Sequence, residues 1–143
     1  AWAPSGAGVA AGQTITSASF VDMTSLSVAL TSGTWIFEII VNCNSSSTAG
    51  ARTAVNYSGT VTSLDYTVIG QLSTTTWAAT TRVTAVDTNS AIFGTTANAE
   101  IQVRMSGKIV VSTSGTFIAR GLKVTSGNFI IRASSTITAI KVA

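Results

Sequence analysis

The chain has 143 residues, 45% of them apolar and only 9% charged, with a net charge of +3; a domain of this length buries a sizeable core without staples, and no second domain is expected. The absence of histidine removes the usual general base, proton shuttle and commonest metal ligand, and a single cysteine leaves no intrachain disulfide. The eight basic residues form no run, which speaks against a nucleic-acid groove, and no stretch approaches the ~20 apolar residues of a membrane-spanning helix.

Residues 1–12, AWAPSGAGVAAG, show no periodicity and lack the basic start and apolar core of a signal peptide. They read as a flexible N-terminal arm ahead of a folded domain at 13–143. Trp2, with Pro4 beside it, has no core of its own in such an arm, and either docks on a partner or stays disordered. Docking is the expectation carried forward. Ala1 is also what removal of an initiator Met leaves before a small residue, so a native start and a trimmed piece of a longer chain are both open.

Period-2 alternation then marks short strands at 14–20 and 26–30, and the strongest at 34–42. In that last strand Trp35, Phe37, Ile39 and Val41 share one face, while Ile36, Glu38 and Ile40 share the other. Both faces are largely apolar, so the strand is expected to be covered twice, once by a partner sheet and once by a neighbouring subunit. Cys43 ends this run and reads as a buried, inert thiol.

Further strands are predicted at 52–58, 60–69 and 77–86, the last with Trp77 above Ala79, Thr81 and Val83. Trp35 and Trp77 read as core or interface anchors. Residues 87–98 are loop-like, with Ile92 and Phe93 as a plug for one end. Strands follow at 99–105, 108–112, 116–124, 128–133 and 136–142, with turns at Ser106-Gly107, Ser114-Gly115 and Ser126-Gly127. The phrase Thr-Ser-Gly-Thr occurs at 31–34 and again at 113–116, and predicts two hairpins. The high Thr and Val content and the lack of 3.6-residue apolar spacing exclude long helices. The result is an all-β sandwich or closed barrel of about nine or ten strands.

Several of these phrases are similar to a domain of tailed-bacteriophage structural proteins. They are Phe20-Val-Asp22, the Leu26-Ser-Val-Ala-Leu30 strand, Gly33-Thr-Trp-Ile-Phe-Glu38, Tyr66-Thr-Val-Ile-Gly70, the stretch 101–118 with its Ser-Gly-Thr-Phe, and the closing 135–142. The likeness covers residues 19–143. It implies a jelly-roll type β-sandwich of antiparallel strands resembling tumour necrosis factor and the complement globular heads, which assemble as trimers around apolar inner strands. The expectation is a homotrimer with Trp35, Phe37, Ile39, Phe129 and Ile131 at its interface.

For chemistry the sequence offers little. The five carboxylates, Asp22, Glu38, Asp65, Asp87 and Glu100, lie far apart; a pair such as Asp65 with Glu100 would have to converge in space to act on a glycosidic bond. Ser and Thr lack an activating partner at any recognisable motif. No catalytic residue, cofactor or metal site is expected. The reading is a virion surface protein, a capsid decoration protein whose partner is the major capsid protein of a phage head. The alternative is a tail-fibre tip that reads host-surface glycans.

Overall fold

A computed structural model describes residues 4–9 as backbone and residues 12–77 and 80–143 in full. Among the described residues there are eleven strands and no helix: β1 (Pro4–Val9), β2 (Gln13–Ile15), β3 (Val21–Leu30), β4 (Gly33–Ser45), β5 (Ala51–Tyr57), β6 (Val61–Gly70), β7 (Thr81–Val83), β8 (Ile101–Val111), β9 (Gly115–Lys123), β10 (Phe129–Ile131) and β11 (Thr136–Lys141). The larger sheet runs β1-β11-β4-β8-β6-β7, with β10 beside β4 and β2 beside β10; the smaller runs β3-β9-β5. Every pairing is antiparallel.

The fold is a jelly-roll type β-sandwich, and its corners explain the repeated phrase. Thr31 to Thr34 joins β3 in the small sheet to β4 in the large one, and Thr113 to Thr116 joins β8 back to β9. Neither is a hairpin. Because β3 pairs with β9 and β4 with β8, the two corners run side by side where a two-stranded ribbon passes from one sheet to the other. The β5–β6 corner joins them: the Tyr57 hydroxyl donates to the Thr113 carbonyl at 2.7 Å and lies 3.4 Å from that of Leu30.

The core lies between the sheets. Trp35, Phe37, Ile39 and Val41 of β4 meet Phe117 and Ala119 of β9 and Met23, Leu26 and Val28 of β3, all buried. Phe37 packs on Phe117 and Tyr66 with ring centroids 4.7 and 5.7 Å apart. Phe93 is buried edge-on against Phe129 at 5.5 Å and closes one end.

Several sequence boundaries change. Ser106-Gly107 is no turn: β8 runs straight through it, because Gly107 lies between Phe37 and Tyr66 in register and a Cβ there would run into the Asp65 carbonyl and Tyr66 itself. The strand expected at 77–86 shrinks to β7, and Ala79 lies outside the described residues. The chain then leaves β6 to cover the free edge of β5, where the Asp87 and Ser90 amides donate to Val55 and Thr53 and Phe93 exchanges both bonds with Ala51. The expected arm also contains structure. Over Pro4–Val9 its backbone pairs with β11, whose outer row of amides and carbonyls accepts any extended neighbour. Trp2 lies outside the described residues, and Pro4 is placed only as the first residue of β1.

Candidate functional site

The register of the large sheet lays out its outer face in rows. Near the corners, Asp65, Lys108, Ile36 and Ile140 stand side by side across β6, β8, β4 and β11; the next row holds Thr67, Ser106, Glu38 and Thr138; the next Ile69, Arg104, Ile40 and Thr136. Ile36 is 45% exposed, the largest exposure of any big aliphatic or aromatic side chain described. All of the first two rows except Thr67 line a shallow groove of about 700 Å³.

The electrostatics single out Glu38. Asp65 pairs with Arg82, Asp22 and Asp87 share Arg120, and Glu100 pairs with Arg132. Glu38 is the one carboxylate among the described residues with no ion pair, and its groove neighbour Lys108 has none either. Hydrogen bonds from Arg82 hold the Asp65 carboxyl below its usual range, and those from Arg132 and Asn44 do the same for Glu100. Both are therefore fixed anions at neutral pH. The imagined pair of Asp65 with Glu100 does not form: Asp65 lies opposite Lys108, eight residues along the strand direction from Glu100, or about 27 Å at strand rise.

All five residues expected at a trimer interface are buried in the core of their own chain. Trp35, Phe37, Ile39, Phe129 and Ile131 have no free surface to offer a neighbour. A contact on β4 falls instead to the opposite phase, Ile36, Glu38 and Ile40. The sequence carried one signal for this: Glu38 is the only charge in the strand, and its phase is the outer one.

Trp77, expected in the core or an interface, is 44% exposed. It bridges Gln71 across the loop after β6, at the end of the sheet far from the corners. From Gln71 a line of amides crosses the outer face: the Gln71 side-chain oxygen accepts from the Gln102 amide at 2.8 Å, and Gln102 Nε2 donates to the Asn42 side chain at 3.1 Å. Cys43 is buried, and desolvation pushes its thiol well above the usual range, so it is poorly disposed to react. Among the described residues no group of His, Cys, Asp and Glu is disposed to hold a metal, and no helix is long and apolar enough to cross a membrane.

Compared with known proteins, the chain matches no family model and no curated protein.

Proposed function

We propose that this chain is a structural protein of a phage virion surface: a homotrimeric decoration protein that binds the major capsid protein and stabilises the head. The observation that carries the assembly reading is the outer face of the large sheet. Ile36, Ile40, Ile140 and Ile69 alternate there with a few charges, on a chain with a third of the usual charge density. Burying such area contributes about 25 cal/mol per Å², and three linked copies on a lattice multiply weak single contacts through avidity. The resemblance of residues 19–143 to phage structural domains supports the virion setting.

A second reading, a fibre tip that reads host glycans, is favoured by the exposed Trp77 beside its line of amides. An aromatic face suits the apolar side of a sugar, and side-chain amides suit its hydroxyls. One experiment separates the two. Purified protein is added to phage heads that lack decoration and, in parallel, to host cell envelopes. Saturable binding to heads in hundreds of copies supports decoration. Binding to envelopes alone, lost in Trp77→Ala, would replace it with the fibre-tip reading.

A further inference from the structure

We propose that β1 is an exchangeable strand: Pro4–Val9 of one copy pairs with β11 of a second copy, in the register it can also take on its own.

Four observations lead there. The first is position. β1 is outermost in the large sheet and pairs with β11 alone. The second is a joint. β1 and β2 follow one another along the same edge, β1 on β11 and β2 on β10, and the sequence between them is Ala10-Ala11-Gly12. Gly12 has φ 90°, a backbone region that glycine enters without strain and that side-chain-bearing residues avoid. Beyond the joint the chain is held, because β2 pairs along its length and Ile15 is buried in the core. One joint thus separates an anchored strand from one whose only strand pairing is at the outer edge of the sheet, where it also lies against β3.

The third observation is composition. Pro-Ser-Gly-Ala-Gly-Val is a poor strand former, with two glycines and no large side chain except Val9. Its pairing rests on the backbone ladder, whose partner groups are identical on every copy. Nothing in the sequence of β1 ties it to its own β11 in preference to another. When copies are dilute the tether favours the chain's own edge; when they are packed at high local concentration a neighbour's edge competes on equal terms.

The fourth is how differently the other edges are treated. The edge of β5 is covered by residues 87–93. The edge of β6 is covered in part by β7, and a register break between Val61 and Ser63 disrupts the rest. Bulges and covering segments are the usual guards against unwanted strand addition. Of these three edges, that of β11 has a cover joined to the next strand through a glycine of positive φ. A six-residue strand reaches about 20 Å, enough to lie along a neighbour's edge while β2 stays in place. This is strand addition of the kind by which sheets recruit extended segments, and the contact is head-to-tail, so it closes into a ring or continues as a chain. The proposal goes beyond the capsid reading and stands without it.

The test uses the full chain. Ala7 and Thr138 are register partners, and the native thiol, Cys43, is buried. Two single variants, Ala7→Cys and Thr138→Cys, are coexpressed and mildly oxidised, alongside the double variant on one chain. Exchange predicts a disulfide-linked heterodimer of the two single variants as the main dimer, and a ladder of covalent multimers from the double variant on a non-reducing gel. Closure of the double variant within single chains, without a heterodimer in the mixture, would overturn exchange, as would the absence of any bond in either sample. A three-copy particle without the heterodimer sinks exchange alone; a monomer that still gives the heterodimer on crowding sinks only the trimer.

Discussion

Gly107 shows how one missing side chain lets two large ones pack. It lies in the inward phase of β8, where Phe37 and Tyr66 flank it with ring centroids 5.7 Å apart. Gly107→Ala places a methyl against the Asp65 carbonyl and Tyr66, and backbone cannot give way as a flexible side chain does. The expected loss is about 2 kcal/mol or more, as for overpacked cores. Thermal unfolding of the variant measures it, and an unchanged midpoint would mean that β8 has room there. In the sequence the same glycine, preceded by Ser, was indistinguishable from a turn, since the signal for a tight turn and for close backbone approach is the same residue.

The strands themselves were legible where one phase carried bulk and the other did not, as in β5 and β6. Alternation reports that a strand has two faces. It does not report which sheet the next strand joins, and so the two Thr-Ser-Gly-Thr phrases read as hairpins when they are corners between sheets. For the same reason β4, apolar on both phases, gave the wrong side for its outward contact: Trp35, Phe37 and Ile39 filled the larger space inside, leaving Ile36 and Ile40 outward beside Glu38. Tyr57 ties the corners together through its hydroxyl, which reaches two carbonyls across the ribbon. Tyr57→Phe keeps the packing and removes that bond, with an expected cost of about 1 kcal/mol. Urea denaturation reads it as a lower midpoint at unchanged slope; no shift would show the corners held by packing alone. Trp77 was misplaced because it bridges Gln71 at the exposed end of the sheet, a pairing set by the loop after β6 and not by alternation along its own segment.

At the scale of the molecule, the lack of histidine and the arginine-held carboxylates set the response to pH. Asp65 and Glu100 have folded-state pKa values below their ordinary ones. Their contribution is complete above the usual carboxylate range and is lost as pH falls through the folded values. No side chain of ordinary pKa titrates between about pH 5 and 7 in a chain without histidine. The melting temperature is therefore expected to be level over that interval and to fall below about pH 4; a transition near pH 6 would contradict this. The central claim is assembly, inferred from the exposed Ile36 with the half-buried isoleucines around it on the large sheet, and from the low charge of the whole chain. Light scattering of the purified protein at micromolar concentration, with and without Ile36→Lys, tests it most directly. The account predicts a mass of three chains for the native protein and a single chain for the variant at unchanged circular dichroism, whereas a stable, soluble native monomer would contradict it.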